Sequence, residues 1–226
     1  MHRQAALLLA AALAVNDSAA EPYRFDAAED YLAPAAQWDT WQDARAAFTA
    51  ELRLIESCNG AATSLCSSGF RAVNRLLLRV RDFAPDDRVR AINAWVNRRR
   101  YREDRAQRAT EGKLPNEWRS LTDLIRRGGD CEDFAMAKYF LLREAGIPAA
   151  RLRMVVAWDK PTHAYHALLA YDTEAGAWLF ETDGSIKRRS QHAQYRFLYS
   201  VNEDGVWDHA PAEGATTARR NGRESS

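Results

Sequence analysis

The stretch "GGDCEDFAMAKYFLLREAGIPAARLRMVVAW", residues 128–158, changes character part-way along. From Cys131 to Ala145 it holds neither glycine nor proline and reads as a helix, closed by Gly146 and Pro148, which are stop signals. From Leu152 to Trp158 it becomes a short run of branched and aromatic residues, the composition of a strand. Upstream, from about Asp39, the chain is helical in period apart from a looser stretch, "DRAQRATEGKLPNEW". Trp41, Ala44, Phe48, Leu52 and Ile55 recur at helical spacing and predict a helix from Asp39 to Ser57. Phe70, Val73, Leu77 and Val80 mark a second, and Val89, Ile92 and Val96 a third behind a Pro-Asp start. "SLTDLIRR" is a short helix ending at the Gly128-Gly129 pair. Downstream, "HALLAY" and "AWLFET" are strands joined through "DTEAG" as a hairpin. Helices followed by strands predict an α+β fold, a helical N-terminal half packed on an antiparallel β-sheet.

With 226 residues, 46% of them hydrophobic, the chain suits one domain with its own core. Its 32 basic and 31 acidic residues are interspersed, so no strong field draws nucleic acid, and no such partner is expected. Arg3, an apolar run from Ala5 to Val15 and the small residues Ser18, Ala19 and Ala20 give residues 1–20 the layout of a secretory signal peptide. The run is too short for the roughly 20 residues that span a bilayer, so no membrane insertion of the mature chain is expected. Residues 21–208 then form the exported domain, and 209–226, without large apolar residues, a disordered tail. Export makes cysteines pair. Cys58 and Cys66 either close a small loop as a disulfide or are small residues near a helix boundary, and Cys131 is the odd thiol.

Cys131 would be the first residue of its helix, where unpaired N–H groups and the positive dipole end favour a thiolate, while Asp130, Glu132 and Asp133 surround it with negative charge, which by itself raises a cysteine pKa. A cysteine nucleophile needs a base. His163, His166, His192 and His209 lie downstream, and His166 is preferred because it begins an apolar strand that can fix its direction. Asp183 is the candidate orienter: a four-residue hairpin loop, Thr173 to Gly176, sets His166 opposite Asp183 on one face, whereas a five-residue loop would pair His166 with Thr182. The acids around the thiol allow two readings. Asp130 and Asp133 can form a capping box while Glu132 favours the dipole. Alternatively Asp130, Glu132 and Asp133 supply oxygen ligands to a hard cation such as Ca2+, whose charge would offset theirs. Trp118, shortly before the nucleophile, either lines a cleft or packs in the core.

The segments from Pro85 to Ile186, above all "DCEDFAMAKYFLLR" with "HALLAY" and "FETDGSI", resemble the bacterial transglutaminase-like cysteine proteinases, the LapG-like periplasmic proteases. The resemblance implies a papain-like core in which Cys131 is the nucleophile, His166 the general base and acid and Asp183 the orienter. It also implies Ca2+ dependence through Asp130 and Glu132 with Asp133 beside them. A family member of this kind cleaves a large surface adhesin near its N-terminus, disperses biofilm and is held by an inner-membrane cyclic di-GMP receptor of LapD type. Two other outcomes use the same residues: transglutaminase-type acyl transfer, and a calcium-regulated binding module without turnover.

Overall fold

The computed structural model describes residues 23–25, 31–58, 66–103 and 118–209. The signal peptide expected over 1–20 and the tail beyond His209 lie outside the described residues. Among the described residues five α-helices follow in the order α1 (Asp39–Ser57), α2 (Ser68–Val80), α3 (Pro85–Val96), α4 (Leu121–Arg127) and α5 (Cys131–Glu144). Strand β1 (Tyr31–Ala33) precedes them; β2 (Leu152–Asp159), β3 (Ala164–Tyr171), β4 (Trp178–Phe180), β5 (Ile186–Lys187), β6 (Tyr195–Val201) and β7 (Val206–Asp208) follow. One antiparallel sheet results, in the order β1-β7-β6-β2-β3-β4-β5.

Strand alternation sorts the sheet's side chains into two cores. Ala167, Leu169 and Tyr171 of β3 face the helices with Met154 and Phe180, whereas Leu168 and Ala170 face the other side with Val155, Ala157, Leu179 and Tyr195. Helix α5 is the hub of the first core. Every residue from Asp133 to Leu142 is buried, because α5 packs on β3 and also meets α1, α3 and α4. A helix apolar on most of its circumference belongs inside a layered fold. Phe140 stacks on Phe48 at 4.6 Å between ring centroids and on Trp41 at 5.6 Å, tying α5 to α1.

Cys58 and Cys66 are joined as a disulfide between the end of α1 and the start of α2, with their Cα atoms 5.5 Å apart. Among the described residues no helix is long and apolar enough to cross a membrane. His209, the first residue of the expected tail, is docked: its N–H donates to the Leu198 carbonyl and its Nε2 meets Ser200 Oγ at 2.8 Å.

Candidate active site

The glycine pair has a positional cause. Gly128 ends α4 at φ 82°, its N–H donating to Leu124 O, and a Cβ there would collide with the Arg100 carbonyl. Gly129 bonds to Arg100 O and Arg102 N, forming a bridge beside Tyr101, and a Cβ on it would collide with the Asp133 carboxylate. The chain then turns into α5 with Asp130 as N-cap and Cys131 as the first helical residue. The thiol is partly buried. It donates to Glu132 Oε2 at 3.2 Å and accepts from the backbone N–H of Ala167, the residue after His166. Burial pushes the thiol up to about 12; the Glu132 and Asp130 charges and the Glu132 hydrogen bond add to this, against a smaller lowering by the Ala167 N–H. Cys131 is thus a protonated thiol held by a carboxylate. Tyr101 stands close enough that the thiol and Asp130 help raise its phenol to about 12, after burial as the main cause.

The thiol reaches β3 at Ala167, the residue that follows His166, and the imidazole is held from the neighbouring hairpin strand. The β3–β4 hairpin adopts the four-residue-loop register, with Tyr171 opposite Trp178 and Leu169 opposite Phe180. Pairing stops at Phe180, because Glu181 to Ser185 turn back on themselves through Gly184 at φ 89° and feed β5. Asp183 therefore does not come opposite His166. Its Oδ1 accepts from Ser185 N at 2.7 Å and serves the turn. Glu181, two residues earlier and of the same strand parity, takes the place expected for Asp183: its Oε2 lies 2.5 Å from His166 Nε2. A carboxylate only accepts, so Nε2 carries a proton, and in the neutral ring that leaves the lone pair on Nδ1. Tyr195 of β6 donates to Glu181 Oε1, and buried Lys138 of α5 donates to the Glu181 carbonyl at 2.6 Å. Burial raises Glu181, but the His166 bond and charge and the Tyr195 bond outweigh it and hold the carboxylate below its usual range.

The three acids have separate fates. Asp133 is buried, with Oδ1 accepting from Arg119 N at 2.7 Å and Oδ2 from Arg119 Nη1 at 2.8 Å and from Asp130 N at 3.2 Å. The capping box holds and consumes Asp133, which corrects its assignment as a metal ligand. Asp130 and Glu132 remain at the thiol, two hard oxygen donors of the type Ca2+ prefers. Among the described residues no group of three or more His, Cys, Asp or Glu is arranged around a cation position.

The sequence profile of the bacterial transglutaminase-like cysteine proteinases (BTLCP) matches residues 60–212. The chain belongs to that family. Solved structures of LapG from Legionella pneumophila share its fold: one is 24% identical, covers 76% of this chain and 91% of its own, and has a TM-score of 0.57. An EGTA-treated form is 23% identical over 76% of this chain and 87% of its own, with a TM-score of 0.58. A calcium-bound form is 25% identical over 74% and 91%, with a TM-score of 0.57. No curated protein matches the chain.

Within this transglutaminase-like proteinase the other histidines have structural work. His192 is buried, its Nδ1 accepting from Tyr23 N at 3.2 Å and its Nε2 facing Lys187 O. His163 occupies a turn at φ 52° with its ring toward Trp158. Trp118 packs edge-on against Trp38 at 5.4 Å, beside the first core, and its indole Nε1 is buried with no partner among the described residues. Glu181, Lys138 and Tyr195 are the site residues that sequence reasoning does not find. The one signal for Glu181 is its position directly after the apolar run "WLF", where a strand end delivers a side chain to an edge.

Proposed function

We propose that the protein is a calcium-dependent periplasmic cysteine endopeptidase that cuts a large surface adhesin near its N-terminus, with Cys131, His166 and Glu181 as its working residues. One observation carries the reading: the thiol at the α5 N-terminus hydrogen-bonds the amide next to His166, whose far nitrogen is held by a buried carboxylate. His166 Nδ1 takes the thiol proton as Sγ attacks a peptide carbonyl. The C–N bond breaks, the imidazolium gives that proton to the leaving amine, and a thioester remains. Water, deprotonated by His166, opens the thioester and restores the thiol. Glu181 holds the ring in its reactive tautomer and balances the imidazolium, as the carboxylate does in other triads.

Asp130 and Glu132 would hold the calcium ion, which would offset the negative charge that keeps the thiol protonated. Calcium-bound and EGTA-treated forms of LapG support that reading, and the signal-like N-terminus supports export. The adhesin substrate and control by a cyclic di-GMP receptor of LapD type rest on family membership. The test is incubation of the purified protein with N-terminal fragments of large surface adhesins, with calcium or with EGTA, followed by mass analysis. Two products whose masses sum to the substrate plus one water are expected, with no cutting by Cys131→Ala or in EGTA. Cutting by Cys131→Ala overturns the mechanism, a crosslinked product replaces hydrolysis by acyl transfer, and cutting in EGTA removes the metal alone.

A further inference from the structure

Strand β3 is only partly covered on the side that bears the nucleophile. Its even-numbered residues direct their backbone groups to β2, as Asp172 N–H does to Arg151 O just beyond the strand end. Its odd-numbered residues therefore point the other way. Tyr171 and Leu169 meet β4 there, but β4 ends at Phe180, and no described strand lies opposite Ala167 and Tyr165. The Ala167 N–H is taken by Cys131 Sγ, so the sulfur sits on the line along which β4 would have continued. The N–H and C=O of Tyr165 point at the same open edge, and Tyr165 is 69% exposed. Exposed edges are normally blunted by lysine, proline or a bulge; Ala164 to Leu168 has none of these, and its pairing with β2 is unbroken.

We propose that this edge is the substrate-docking strand: an extended polypeptide pairs with the backbone of Tyr165 and so carries its scissile carbonyl past Cys131. The proposal rests on the endopeptidase reading and adds the conformation in which the substrate is taken. Tyr165 and Ala167 are two residues apart, about 6.6 Å along a strand, and an added strand lies about 4.8 Å away. A peptide whose carbonyl reaches Sγ therefore passes within hydrogen-bonding reach of Tyr165. The ring of Tyr165 stands edge-to-face on that of Trp158, its cross-strand partner, at 5.1 Å, which makes an apolar wall beside the path. A folded helix or a globular surface cannot lie along such an edge; a locally unstructured segment can.

Two substitutions separate backbone from ring. Tyr165→Ala keeps the N–H and is expected to raise KM for a cleaved adhesin fragment with kcat unchanged. Tyr165→Pro removes an N–H that the β2 ladder does not use and is expected to lower kcat/KM about tenfold or more below Tyr165→Ala. A second measurement does not depend on the proline variant folding: amide exchange at Tyr165 in Cys131→Ala, with and without the same fragment. The fragment is expected to slow that amide about tenfold. Equal rates for the two Tyr165 variants overturn the proposal, as does a fragment that leaves the amide unprotected or does not bind. Wild-type protein that fails to cut a fragment which does protect Tyr165 would overturn the endopeptidase reading alone.

Discussion

Cys131 shows why the position of a candidate nucleophile is legible in sequence while its burial is not. The glycine pair and the helix start mark the position, and the dipole argument favours a thiolate. The flanking acids argue the other way, and burial, which only the folded chain supplies, joins Glu132 in pushing the thiol up to about 12. In EGTA, alkylation by iodoacetamide at pH 8 should therefore be slow. Glu132→Gln removes the neighbouring negative charge and the carboxylate hydrogen bond together and should speed labelling about tenfold, followed by intact mass. An unchanged rate would mean that Glu132 does not hold the thiol proton. The carboxylate that meets His166 is legible in face but not in position. Loop length gives the register as far as Phe180, and Glu181 and Asp183 share a parity. The turn through Gly184 is a tertiary choice that hands the role to the earlier residue.

Helices α1 to α5 follow from 3.6-residue spacing and from Gly and Pro punctuation, because a buried stripe leaves its period in the sequence. Strand β1 has three residues, too few to carry a period, and β7 has the same length. Strand β6 is not among the strands expected from the sequence, although Tyr195, Phe197 and Tyr199 alternate along it; it pairs with β2 in the middle of the sheet. Helix α5 is the element on which the rest depends. Phe140→Ala should cost about 3–5 kcal/mol in urea unfolding, since it empties a site stacked by Phe48 and Trp41. The α1–α2 connection is closed by the Cys58–Cys66 disulfide over a sequence separation of 8. Replacing both by serine should cost about 2–3 kcal/mol, and alkylation of the non-reduced wild type should label one thiol.

Across the whole molecule, Lys138 joins the nucleophile helix to the turn that carries Glu181, with its ammonium 2.6 Å from the Glu181 carbonyl and nowhere exposed to water. Burial pulls it down to about 7, against a partial lift from the Glu181 and Asp183 charges. Above pH 7 the unfolded chain, with an ordinary lysine, binds a proton that the folded chain has lost, so stability rises with pH. The rise should be about 1.4 kcal/mol per pH unit between pH 7 and 9. Above pH 9 the raised Cys131 thiol opposes it, because the unfolded thiol ionises first. Urea unfolding at pH 7, 8 and 9 measures the slope, and Lys138→Met should flatten it. The same connection ties helix, turn and sheet together, and in the proposed mechanism Cys131 is served by a His166 that Glu181 orients. The most direct test is kcat/KM for adhesin-fragment cleavage by Glu181→Gln and Asp183→Asn. The account predicts a loss of about 10²-fold or more for Glu181→Gln and less than about threefold for Asp183→Asn. A dead Asp183→Asn beside a fully active Glu181→Gln would contradict it.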